Sequence, residues 1–135
     1  MKIRKARRED GPRIRTLAAS LALDYPGMES DPAWCADDGE RIVGSVCLLS
    51  HPDSLELVAL GVDPDFRGRG LGKRLVEALL GETAAYVHLA TVIPDFFAAC
   101  GFVRIDDMPA GMRKDPSWCE GCDRSRCAVM VRKAR

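Results

Sequence analysis

Leu55-Glu-Leu-Val-Ala-Leu-Gly-Val62, Asp63-Pro-Asp-Phe-Arg-Gly-Arg-Gly-Leu-Gly72 and Lys73-Arg-Leu-Val-Glu-Ala-Leu-Leu80 run consecutively, and their reading decides the fold. The first run is apolar and β-prone, so it predicts a strand that Pro64-Asp65 breaks. In the last, Leu71, Leu75, Val76, Leu79 and Leu80 fall on one side of a helix. Between them Arg67-Gly-Arg-Gly-Leu-Gly72 is a glycine-rich turn. Such a turn lets consecutive backbone N–H groups converge at a helix N-terminus, where the dipole and the unpaired donors favour a phosphate or pyrophosphate. Glycines used only for tight strand-to-helix packing are the alternative. Two familiar phosphate motifs fail on spacing. The dinucleotide fingerprint needs glycine at position 73, which is Lys73, and the P-loop needs glycine at 67 and Ser or Thr at 74, which are Arg67 and Arg74.

Outward from this stretch the pattern continues to alternate. Lys2 to Ala6 predicts a short strand. Asp10 offers an N-cap with Pro12 in the first turn, and Ile14, Leu17, Ala18 and Leu21 follow at helical spacing, giving a helix that ends near Tyr25-Pro26-Gly27. Trp34-Cys-Ala36 and Ile42 to Leu49 flank Asp38-Gly39, a dipeptide suited to a tight hairpin, and with Leu55 to Val62 they predict consecutive antiparallel strands. Ala85 to Ala90 predicts a further strand. Pro94 opens a short helix through Phe96, Phe97 and Cys100 that Gly101 caps, before Phe102 to Ile105 and Ala128 to Val131 return as strands. The length of 135 residues predicts a single domain over 1–135, with a Cys-rich segment at 113–127 before the last strand.

Twenty basic residues balance twenty acidic ones. A net charge of zero argues against a protein that coats nucleic acid or an anionic membrane, because both require an uncompensated positive field. The cancellation hides segregation: Asp24 to Asp65 holds ten acidic residues against one basic, while the first fifteen residues hold seven basic against two acidic. These are either solvated faces or the walls of a bipolar cleft. No apolar run approaches bilayer-crossing length, and basic Met1 to Arg8 is followed by Glu9-Asp10, so a cytoplasmic location without membrane association is expected. There the six cysteines are core, metal or redox residues before they are disulfides.

Arg67-Gly68-Arg69-Gly70-Leu71-Gly72, entered from Leu60-Gly-Val-Asp-Pro-Asp-Phe66, fits the signature [R/Q]-x-x-G-x-[G/A]. Here the sequence resembles the GNAT superfamily of acyl-CoA-dependent N-acetyltransferases over nearly its whole length. The resemblance implies an α/β (α+β) sandwich with a mixed, mostly antiparallel central sheet flanked by helices. It also implies acetyl-CoA as cosubstrate, with the amides of Gly68, Arg69, Gly70, Leu71, Gly72 and Lys73 on its pyrophosphate. Leu60, Gly61 and Val62 would hydrogen-bond the pantetheine arm as a strand does, and Arg67, Arg69 and Lys73 would add positive charge.

Acyl transfer to an amine needs a base for the ammonium, a donor toward the carbonyl oxygen and a proton for the departing thiolate. Glu56 is the candidate base. Strand alternation would place it on one face with Val58, Leu60 and Val62, and a carboxylate among apolar neighbours is raised toward a useful pKa. Its placement eleven residues before Arg67 is similar to that of the catalytic glutamate in GNAT histone-lysine acetyltransferases. The alternative is an edge-strand carboxylate facing water. Many GNATs carry Phe-Tyr-x-x-x-Gly-Phe in the late helix, with the tyrosine near the CoA sulfur; here Phe97 occupies that position, so the leaving-group acid is unassigned. Cys100 reads as a packed residue rather than a nucleophile.

The Phe96-Phe97 form, then Arg104-Ile-Asp-Asp-Met-Pro109 and a cysteine cluster, is similar to the short N-acetylglutamate-synthase-like branch of the superfamily. Cys119, Cys122 and Cys127 supply three of the four ligands a structural zinc needs; zinc, a redox pair and free thiols stay open, with zinc not favoured. His51 in a turn and His88 in an apolar strand read as structural. The expected function is transfer of an acetyl group from acetyl-CoA to a primary amine of a small molecule by direct attack in a ternary complex, and a homodimer is compatible with it. Acidic loops from Asp24 to Asp31 would favour a cationic amine, whereas Arg104 or Arg113 would favour an anionic amino acid. The rival is a non-catalytic acyl-CoA-binding or cysteine-sensor module, and a zinc-knuckle nucleic-acid binder fits the neutral charge least.

Overall fold

The computed structural model describes residues 1–112 and 127–133. Seven strands, β1 (Lys2–Lys5), β2 (Ala33–Asp37), β3 (Ile42–Ser50), β4 (Leu55–Val62), β5 (Tyr86–Thr91), β6 (Val103–Ile105) and β7 (Ala128–Lys133), and three helices, α1 (Gly11–Ser20), α2 (Leu71–Gly81) and α3 (Pro94–Ala99), follow the expected order. The strands form one sheet in the order β1-β2-β3-β4-β5-β7-β6. Only β4 and β5 run parallel; the other neighbours are antiparallel.

The helices cover the two faces unequally. On one face α2 buries Leu75, Val76, Leu79 and Leu80 against Trp34, Val46, Leu48 and Leu57, with Phe97 and Phe102 closing the same core. These are the α2 residues whose spacing marked them, and truncating fully buried Leu75 or Leu79 to alanine costs about 2–5 kcal/mol. Gly44 lets α2 approach, since a Cβ there would stand 3.1 Å from Leu75. On the other face α1 sets Ile14 and Ala18 against Ala33, Cys35 and Cys47.

α1 stops at Ser20, short of Tyr25-Pro26-Gly27. Ala22 adopts φ +57 and the Leu23 N–H reaches back to the Ala18 carbonyl, a reversal that closes the helix without a glycine to announce it. Nor does Asp10 cap α1 through its side chain. Its carboxylate turns to β1, accepting from Arg4 at 2.8 and 3.1 Å and from the Arg7 N–H at 2.7 Å.

Candidate active site

The turn into α2 is built by backbone conformation. Gly68 and Gly70 hold φ +81 and +78, and nothing among the described residues lies within 4 Å of the Cβ either lacks, so left-handed geometry and not crowding calls for glycine. Gly72 differs, because a Cβ there would meet the Phe96 ring at 3.3 Å. The amides of residues 68–73 donate no hydrogen bond among the described residues. Arg67 donates from Nε to the Val62 carbonyl at 3.1 Å, and Arg69 and Arg41 lie over the Phe66 ring at 5.0 and 5.2 Å. With exposed Lys73, a row of open N–H donors thus sits among four cations.

Beside this turn the sheet forks. β4 and β5 share only two register pairs, Leu55 with Val87 and Glu56 with His88. Past Glu56, β4 runs on to Val62 while β5 stays with β7 instead, so the β5-side backbone of residues 57–62 has no strand partner among the described residues. Leu60, Gly61 and Val62 therefore lie on the open limb. Phe97 is buried beneath, edge-on to Phe96 and Phe102 at 5.0 and 5.7 Å.

A bulge reorders the faces of β4. Between the pairs Ser45–Gly61 and Cys47–Val58, β3 spends one residue and β4 spends two, Ala59 and Leu60, with Ala59 at φ +56. Glu56 and Val58 consequently share the α1 face, but Leu60 and Val62 turn to the α2 core, which corrects the expectation that all four lie together. Nor is Glu56 an edge carboxylate facing water: it is 2% exposed on an interior strand.

Both histidines of the chain converge on Glu56. His51, in the β3–β4 loop, places Nε2 2.8 Å from Glu56 Oε1, with side chains 15% and 3% exposed. His88 is its register partner across the last rung of β4–β5, and His88 Nδ1 is buried without a hydrogen-bond partner among the described residues. The loop is held by the His51 N–H donating to the Ser54 carbonyl at 2.8 Å and by Gly111, whose missing Cβ would collide with His51 at 2.6 Å. Local sequence carried no sign of this convergence.

A cleft of about 600 Å³ opens at this end of the sheet. His51, Asp53, Tyr86, His88, Ile105 and Val131 are among the residues lining it, and Glu56 is not. Of the acids from Asp24 to Asp65, Asp53 alone is on its described wall. Asp31 accepts from the Tyr25 hydroxyl at 2.8 Å, Glu29 pairs with Arg15, Asp37 with Arg4, and Asp38 and Asp63 cap turns. Arg104 pairs in register with Met130, a residue of the α2-side core, so it is exposed on the opposite face from Glu56. Arg113 lies outside the described residues, as do Cys119 and Cys122.

Cys35, Cys47 and Cys100 are buried and free, and burial pushes all three thiols up, Cys47 to about 11, so they suit packing rather than nucleophilic attack. Cys127 is exposed at the foot of β7. Among the described residues no group of three or more His, Cys, Asp or Glu is placed to hold a metal, and no helix is long and apolar enough to cross a membrane.

A mixed sheet forked at one parallel pair, with an amide-rich helix start beside the fork, is the acyl-CoA N-acyltransferase architecture. A family model, the acetyltransferase (GNAT) domain, matches residues 29–104, more than half of the chain. This protein belongs to the GNAT acetyltransferase family. A mycothiol acetyltransferase of Acidothermus cellulolyticus is 42% identical over 57 residues, covering 42% of this chain and 17% of that protein. The chain spans about a quarter or less of the curated relatives it matches. Among solved structures, Rv2747 of Mycobacterium tuberculosis in complex with CoA superposes with TM-score 0.72 at 24% identity, over 97% of this chain and 98% of that one. N-acetylglutamate synthase of Neisseria gonorrhoeae, complexed with coenzyme A and N-acetyl-glutamate, gives TM-score 0.79 at 19% identity, over 99% and 35%.

Proposed function

We propose that the protein transfers an acetyl group from acetyl-CoA to a primary amine of a small molecule, by direct attack within a ternary complex. The observation that carries this reading is the fork, open beyond Glu56 and flanked by the amides of 68–73, which are unpaired among the described residues. An extended amide-bearing chain fits the open limb of β4 as a strand would, and a pyrophosphate fits the α2 N-terminus with Arg67, Arg69 and Lys73 around it. Similar folds solved with CoA support the choice of cosubstrate.

Bond formation between the amine nitrogen and the acetyl carbon breaks the carbon–sulfur bond and moves one N–H proton to sulfur. An alkyl ammonium near pKa 10 must first lose a proton, and Glu56, buried at the last rung before the fork, is the carboxylate on which that deprotonation depends. The acceptor we infer is an amine without a neighbouring carboxylate. Asp53 and an apolar wall of Ile105 and Val131 line the cleft, and Arg104, the candidate carboxylate partner, faces away.

Acetyl-CoA consumption measured across amino acids, polyamines and arylalkyl amines tests both points. Transfer to amines and not to amino acids is expected. Glu56→Gln should lower kcat about 10²–10³-fold while the Kd for CoA stays within about twofold. Tight CoA binding by a wild type that acetylates no amine would instead establish a binding module.

A further inference from the structure

The buried carboxylate does not reach the cleft, and an imidazole stands between them. Glu56 is 2% exposed and absent from the cleft wall, whereas His51 lines that wall and is bonded to Glu56 through Nε2. We propose that His51 is the group that exchanges the proton with the acceptor amine, and that Glu56 acts through it as a positioning residue. This rests on the acetyl-transfer reading above and reverses the roles that the position of Glu56 alone suggests.

The hydrogen bond fixes the tautomer. An ionised carboxylate only accepts, so at 2.8 Å from Oε1 it is Nε2 that carries hydrogen, and Nδ1 keeps its lone pair on the side of the ring away from Glu56. Among the described residues Nδ1 has no hydrogen-bond partner and is not a buried orphan, as His88 Nδ1 is. A buried carboxylate behind an imidazole stabilises the imidazolium formed when Nδ1 takes a proton, the logic of a carboxylate–histidine pair in hydrolases. The ring is preorganised by the Ser54 backbone bond and by the close approach of Gly111.

The proton balance closes without a further acid. The ammonium first gives one proton through neutral His51 to solvent, which leaves a free amine and a neutral ring; as the amine nitrogen then bonds to the acetyl carbon, its N–H bond breaks and Nδ1–H forms, and as the carbon–sulfur bond breaks, the imidazolium passes that proton to the thiolate and the neutral ring is restored. The dyad thereby fills the place left by Phe97, where many relatives carry a tyrosine. Asp53, Tyr86 and His88 are the other titratable groups on the described wall, and none of them has a hydrogen bond to Glu56.

Two experiments decide it. In the ligand-free protein, ¹⁵N NMR of the His51 ring at neutral pH should show the Nε2–H tautomer; a dominant Nδ1–H tautomer overturns the proposal whether or not any amine is a substrate. With 2-phenylethylamine as probe and saturating acetyl-CoA, His51→Gln keeps an amide donor toward Glu56 but has no basic nitrogen. It should lose about 10²-fold or more in kcat, as His51→Ala does, with an unchanged thermal midpoint and CoA Kd, and free imidazole should restore His51→Ala at least about fivefold. Activity of His51→Gln within about threefold of wild type shows that the ring only holds Glu56 in place, and overturns the proposal. If the wild type leaves the probe unacetylated, the acetyl-transfer reading fails for that amine and the tautomer alone decides the dyad.

Discussion

Arg4 holds two carboxylates at once, Asp10 at 2.8 Å and Asp37 at 3.1 Å. Its hydrogen bonds keep the Asp10 carboxyl down at about 2, against desolvation that pushes the other way. With the folded value below the unfolded one, the stabilisation is complete above the ordinary carboxylate range and is lost as pH falls from about 4 toward 2. The thermal midpoint of the wild type should drop across that window. Asp10→Asn should be less stable at neutral pH and show a flatter profile. Asp10 illustrates what local patterns miss: beside a helix start it reads as a cap, but its partner is set by β1 lying beside it. The histidines are the larger case. His51 and Glu56 are close in sequence, yet only the β3–β4 turn makes their side chains meet, and His88 joins them through a parallel register separated by the whole of α2.

At the scale of elements, what depends on short-range periodicity was legible. The buried stripe of α2, the strand boundaries to within a residue or two, and the glycines of the α2 turn all follow from spacing and from backbone demands that only glycine meets cheaply. The bulge was not, because it is one inserted residue at an alanine that carries no turn signature, and a one-residue slip sends every later side chain to the opposite face. Ala59 holds φ +56 in the middle of a strand. Ala59→Val puts a β-branched side chain in that conformation and should cost about 1–2 kcal/mol, whereas Ala59→Gly should leave stability unchanged or slightly higher. Urea titration of the two variants separates these outcomes. The Val variant should also bind CoA more weakly, since the bulge shapes the open limb.

Across the whole molecule, five acids of the central segment serve turns, a tyrosine and arginines, Asp53 stands on the cleft wall, and cations gather at the α2 turn. Of the six seams between neighbouring strands, five are paired over most of the shorter strand and one, β4–β5, by two residue pairs alone. CoA should therefore raise the thermal midpoint by mass action, by about 2.7 kcal/mol of stability at a hundredfold excess over Kd, and should slow amide exchange most at residues 57–62 and 68–73. Equal protection across the sheet would count against binding in the fork. The seam also makes the sheet behave as two plates laced by two stitches, one plate holding β1 to β4 and the other β5, β7 and β6. Outside the α2-side core that spans it, this seam is where limited proteolysis of the CoA-free protein is expected to begin. CoA bound in the fork as proposed would complete the lacing, so proteolysis at this seam should slow as CoA is added.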